Sequence, residues 1–114
     1  MSRHDRQRLE DIIAAAQAIA GHLRRGGLDD GLVFDAVRIR LIEIGEAAKA
    51  IDPAVLARER GTPWIDVAGM RNHLAHRYFD TAHAIVQATV DNDLAPLVAA
   101  TERLLAYLTN ESDP

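Results

Sequence analysis

The chain Arg71-Asn72-His73-Leu74-Ala75-His76-Arg77-Tyr78 gathers two guanidinium groups, two imidazoles, a carboxamide and a phenol within eight residues. Arg71 and His76 supply a fixed positive charge and a group that exchanges protons near neutral pH, which is what phosphodiester cleavage requires. In RNA the 2′-hydroxyl is a built-in nucleophile. His76 can remove or return its proton while Arg71 steadies the charge that grows on the phosphate oxygens, and Asn72 can orient the phosphate or the imidazole. This chemistry needs no metal. His73 and His76 stand three residues apart and could share a metal, but no carboxylate or third histidine stands at a compelling spacing, so neither a metal nor another cofactor is expected. One helix offers a single histidine at this position, and acid and base are more easily supplied when two copies of the chain each contribute one. The site is therefore expected at a homodimer interface.

The rest of the chain must hold these residues. Its 114 residues suffice for one hydrophobic core, predicted to span residues 1–110 and to end in a polar tail at 111–114. No cysteine is present, which excludes disulfides and thiolate metal sites and suits a reducing cytoplasm. The first residues lead straight into an amphipathic pattern, not the apolar core of a secretory leader, and no apolar run approaches the ~20 residues that span a bilayer. A soluble protein without membrane partners is expected. The net charge of −4 argues against a surface that grips long nucleic acid, yet Arg71, His73, His76 and Arg77 make a local basic cluster sufficient for one phosphodiester. No aromatic platform or extended basic groove is visible to read bases.

Apolar periodicity predicts an all-α antiparallel helical bundle: two long N-terminal helices, shorter helices, and a C-terminal helix. Leu9, Ile12, Ile13, Ala16, Ile19, Ala20 and Leu23 mark the first helix, which Gly26-Gly27 is expected to end through positive-φ glycines. Asp29 or Asp30 caps the second, which runs to about Ile51 on the stripe Val33, Val37, Leu41, Ile44, Ala48 and Ile51. Beside it lies a partial stripe of Ile39, Ile42 and Glu46, suggesting a second partner for this helix. Gly45 in its interior costs ~1 kcal/mol relative to Ala, so another backbone or a ligand is expected close by. Asp52-Pro53 starts a short helix through about Glu59. Thr62-Pro63 repeats the signal for a helix from Trp64 that carries the motif, with Val67, Met70 and Leu74 inward and Asn72 and His76 outward. Asp80 or Thr81 caps the next helix, which breaks near Asp91-Asn92-Asp93. Pro96 then falls in the first turn of a last helix striped by Leu94, Leu97, Val98, Thr101, Leu104, Leu105 and Leu108.

Arg71, His76 and Tyr78 in this order, preceded by Ile44-Gly45-Glu46-Ala47 in the second helix, resemble the HepT-type HEPN proteins, the ribonuclease toxins of HepT/MntA toxin-antitoxin modules. The resemblance runs over nearly the whole chain, including Trp64 ahead of the motif and Asn92-Asp93-Leu94 with Pro96 at the last helix. It implies a homodimer with a composite cleft that cleaves RNA without metal and leaves a cyclic phosphate. By this resemblance Arg71 and His76 are the catalytic positions, and Asn72 is the polar neighbour. Tyr78 is the phenol that a cognate MntA-type nucleotidyltransferase antitoxin modifies with AMP.

Plainer readings stand beside these. Arg71 and His76 can serve as an ordinary capping and ion-pairing set, and Tyr78 can simply pack its ring on the bundle. Glu46, the other supporting residue, pairs by default with Lys49 on its own helix, or else with Arg71 across the interface. His4, His22 and His83 are expected to face solvent. The alternative function is a non-catalytic dimeric partner that docks on a nucleotidyltransferase through the small polar face at Gly69 and Asn72.

Overall fold

Each long apolar stripe becomes a helix in the computed structural model, which describes residues 3–75 and 79–112, with residues 79–81 and 111–112 described by their backbone alone. Helix α1 (Arg3–Leu23) buries Leu9, Ile12, Ala15, Ala16 and Ile19. Ala20 lies exposed and Ile13 only partly covered, because both sit one step off this stripe. The helix does not end through left-handed glycines: neither Gly26 nor Gly27 has positive φ. Instead the last turn tightens, with the Arg25 amide donating to the His22 carbonyl at 3.0 Å, and the Gly27 carbonyl accepts from the Asp30 amide at 3.1 Å to begin the next turn.

Asp30 caps helix α2 (Gly31–Lys49), its carboxylate accepting from the Leu32 amide at 2.9 Å. The stripe Val33, Val37, Leu41, Ile44 and Ala48 is buried as predicted, together with Phe34 and Ala47. Helix α3 (Pro53–Leu56) follows, with Asp52 accepting from the Ala54 amide at 2.9 Å and Pro53 in the first turn. The Asp52 amide donates in turn to Asp5 Oδ1 at 3.1 Å, so a buried carboxylate of α1 anchors the start of α3. Helix α3 stops before Glu59 because the next residues close shorter turns, Arg58 on Val55 and Glu59 on Leu56.

Helices α4 (Trp64–Ala68) and α5 (Met70–Leu74) precede α6 (Phe79–Ala88). The chain is already helical at Phe79, so Asp80 and Thr81 lie inside α6 and do not cap it. The predicted break near Asp91-Asn92-Asp93 is a π-helical turn (Thr89–Asp93) that runs without interruption into α7 (Leu94–Ser112). Pro96 explains this local widening: it has no N–H to give, and its ring crowds the carbonyl one turn back, which a five-residue turn moves aside. Helix α7 takes in Glu111 and Ser112, the first half of the expected tail.

The result is the expected all-α bundle, with α2 at its centre. Helix α1 packs against α2 and α7, while α4, α5 and α6 pack on α2. Ile12, Ile19, Leu41, Ile44 and Leu104 are almost completely buried where these layers meet, and truncating any of them to Ala would cost about 2–5 kcal/mol. Among the described residues no helix is long and apolar enough to cross a membrane.

Candidate functional site

The site is positioned by the crossing of α2 with the α4–α5 segment. Gly45 is buried, and a Cβ placed there would stand 2.7 Å from the Val67 carbonyl oxygen and 3.0 Å from Met70 Cβ. Of the two occupants anticipated for this gap, backbone or ligand, the backbone fills it. Upstream, Trp64 Nε1 donates to the Glu59 carbonyl at 3.1 Å and fixes the entry to α4. That helix starts with Pro63 in the cap position and no side-chain cap bond, so Thr62 does not play the capping role expected of it.

The helix expected to run from Trp64 into the motif is divided in two. Gly69 ends α4, its amide donating to Ile65 at 3.0 Å, and it also begins α5, its carbonyl accepting from the Asn72 and His73 amides at 3.0 and 3.3 Å. Five residues later α5 ends at Leu74. Val67 and Leu74 point into the core and Asn72 is exposed, as the periodicity predicted. His76, Arg77 and Tyr78 lie outside the described residues.

Glu46 and Arg71 are brought together. Glu46 Oε1 stands 3.7 Å from Arg71 Nη1 within the same chain, with the side chains 46% and 65% exposed. Glu46 thus turns to α5 and not to Lys49, its default partner. At this distance and exposure the ion pair adds under ~1 kcal/mol to stability. Its effect is orientation: a loosely held guanidinium remains open to a second anion, and a phosphate can take it over. Asn72 follows Arg71 on the same exposed helix. His73, roughly opposite Arg71 around α5, lies at a largely apolar cavity of about 480 Å³ between α2, α4–α5 and the π-helical turn.

Three neighbouring residues escaped the sequence reading. Arg38 of α2 donates from Nη1 to the Leu74 carbonyl at 3.3 Å, and its guanidinium lies 6.0 Å from the centroid of the Phe34 ring. That ring stacks on His83 of α6, with centroids 5.6 Å apart and planes at 16°. His83 Nε2 lies 3.0 Å from the Leu28 carbonyl, so His83 is engaged between elements and does not simply face solvent. One signal was available: Phe34 and Arg38 are four residues apart on α2, hence neighbours on one face.

A family model described as "Ribonuclease HepT-like" matches residues 9–104, which include α2, the Gly45 crossing, the Glu46–Arg71 pair and the whole motif. The chain belongs to the HepT-like ribonuclease family. The "Probable ribonuclease HepT" of Thermococcus cleftensis is 32% identical over 108 residues, covering 91% of this chain and 98% of that protein. A relative from Caldanaerobacter subterraneus subsp. tengcongensis, provisionally named an RNase, is 26% identical over 85% of this chain and 90% of its own. No solved structure matches the chain. The likeness to HepT-type proteins drawn from the motif residues is therefore borne out at the level of family.

Proposed function

We propose that this chain is a metal-independent endoribonuclease toxin of a toxin-antitoxin module, acting in the cytoplasm as a homodimer whose two copies of the motif form one cleft. The observation that carries this reading is the exposed Arg71 guanidinium, set at the α2–α5 crossing by Glu46 in a chain of the HepT-like ribonuclease family. Arg71 binds the scissile phosphate and stabilises charge on its oxygens, and Asn72 orients it. His76 of one copy takes the proton from the 2′-hydroxyl, and His76 of the other gives one to the leaving 5′-oxygen. The 2′-oxygen bonds to phosphorus as the P–O5′ bond breaks, leaving a 2′,3′-cyclic phosphate. A dimer is supported by α2 itself, on which Ile39 is 49% exposed and Ile42 half-buried beside Glu46.

A nucleotidyltransferase antitoxin neutralises the toxin by attaching AMP to Tyr78. The added phosphate sets an anion beside the cleft that competes with RNA for Arg71. The deciding experiment is an RNA digest in EDTA with wild-type protein and His76→Ala. Wild type should cleave, and the variant should lose at least about 10²-fold in rate. Equal cleavage by both would sink the reading. No cleavage by either, with co-purification of a nucleotidyltransferase, would favour the non-catalytic partner instead.

A further inference from the structure

We propose that Arg38 is a positioning residue for α5, the helix that carries Arg71, fixing its end from one face of α2 while Phe34, beside Arg38 on that face, meets α6. The kinetic part of this proposal rests on the ribonuclease reading above; the structural part does not.

The first contact is at the end of α5. Carbonyls in a helix's last turn lack an intrahelical donor and carry the negative end of the helix dipole, so a cation that donates there is doubly favoured. Arg38 Nη1 fills this role at Leu74, the last residue of α5, at 3.3 Å. The second is with α6. One turn before Arg38 on α2, Phe34 lies under the guanidinium at 6.0 Å and stacks on His83 at 5.6 Å. His83 in turn meets the Leu28 carbonyl at 3.0 Å in the α1–α2 connection.

Two adjacent turns of α2 therefore meet Leu74 of α5 and His83 of α6. The same face continues to Gly45, which receives Val67, and Glu46 beside it receives Arg71. Along α2 from its end toward its start, Glu46 and Gly45 meet Arg71 and Val67, Arg38 meets Leu74, and Phe34 meets His83. This side of α2 thus positions the described elements that flank the site, and Arg38 holds Leu74, the last residue of α5.

A guanidinium suits this place better than an ammonium. Its planar fork can donate to Leu74 while its charge stands 6.0 Å from the Phe34 ring centroid and a further nitrogen stands 3.9 Å from Asp35. The Arg38 side chain is only 27% exposed, so water competes weakly for these contacts.

The test compares full-length wild type with Arg38→Met and Arg38→Lys by two readouts. The first is hydrogen exchange of the peptides covering residues 70–85. Arg38→Met should raise exchange there by about tenfold or more while the α1 and α7 peptides keep wild-type protection, because the opening is local. Wild-type exchange throughout would overturn the proposal. The second is RNA cleavage. Displacing a catalytic group by about 1 Å costs on the order of 10²-fold, so Arg38→Met should lower kcat by roughly 10- to 100-fold with KM within about twofold. Arg38→Lys should recover part of the loss, since it keeps a cation on the side of α2 that meets the Leu74 carbonyl.

A raised KM with unchanged kcat would make Arg38 an RNA-phosphate contact and overturn the positioning role. Should Arg38→Met fail to fold, Arg38→Lys decides alone: intermediate exchange and kcat support the proposal, and wild-type values for both overturn it. Should wild-type protein leave RNA intact, the ribonuclease reading fails, and the exchange experiment by itself decides the role of Arg38.

Discussion

Glu46 on α2 and Arg71 on α5 face each other at 3.7 Å, one residue beyond the point where Gly45 admits the Val67 carbonyl. Their ion pair is too exposed to matter for folding, so its consequence should be kinetic. Glu46→Gln is expected to leave the melting temperature within about 4 °C of wild type, since the pair is worth under ~1 kcal/mol. Single-turnover RNA cleavage should fall about 3- to 10-fold as Arg71 loses its guide. If Arg71 holds the scissile phosphate as proposed, Arg71→Ala should cost about 10²- to 10³-fold. Wild-type cleavage by Glu46→Gln would remove Glu46 from the site.

Gly45→Ala offers a sharper structural test, because two effects oppose each other. Alanine gains ~1 kcal/mol of helix propensity over glycine. Its Cβ, however, would stand 2.7 Å from the Val67 carbonyl and 3.0 Å from Met70 Cβ, and the carbonyl belongs to backbone that cannot simply turn away. Overpacking of this kind costs ~1–3 kcal/mol, so a net loss of stability is expected in urea unfolding. A more stable Gly45→Ala protein would mean that α2 and α4 do not meet so closely. Gly61, with nothing within 4 Å of its Cβ position, is the matched control: Gly61→Ala should change stability little.

Much of this architecture was legible in the sequence, because long stripes such as Val33, Val37, Leu41 and Ile44 leave a helix only one face to bury. Asp30 and Asp52 were legible as caps for the same local reason. The failures lie where the outcome depends on contacts distant in sequence. Gly26 and Gly27 permit a left-handed turn, but the tight His22–Arg25 bond closes α1 without one. Gly69 was placed inside a helix that it divides, since no periodicity over so few residues distinguishes one helix from two. Arg38 went unnoticed and His83 was expected to face solvent because their partners, the Leu74 and Leu28 carbonyls, are backbone atoms that leave no mark on residue type. Glu46 and Arg71 were singled out by residue type and motif, but their pairing within one chain depends on a helix crossing that spacing alone does not specify.

Asp5 shows how an acidic residue near a helix start can belong to the core. It is 5% exposed, and its Oδ1 accepts from the Asp52 amide at 3.1 Å, tying α1 to the cap of α3. Asp5→Ala would leave that amide without its acceptor, at a cost of ~1–3 kcal/mol. Asp5→Asn keeps an acceptor oxygen and should recover part of the loss. Thermal unfolding of the three proteins checks the order wild type, Asn, Ala; an Ala variant as stable as wild type would show that water replaces the carboxylate freely.

Glu59 and Arg103 join the turn after α3 to α7 through two donors on one carboxylate oxygen, Nε at 3.0 Å and Nη2 at 2.6 Å. The hydrogen bond from Arg103, reinforced by its charge, holds the Glu59 carboxyl below the ordinary glutamate value of 4.5. A carboxylate whose folded pKa is depressed stabilises the fold at every pH above the unfolded value, and this stabilisation is lost as pH falls through the folded one. Arg103→Gln should therefore melt slightly below wild type at neutral pH, with a constant difference between about pH 6 and pH 8. The gap should narrow once pH drops below the ordinary glutamate range and close when Glu59 is protonated in both states. Because the pair lies at the surface, added salt should shrink the gap at neutral pH as well. A difference that grows in acid would have the wrong sign for a depressed carboxylate and would show that Arg103 stabilises α7 by some other contact.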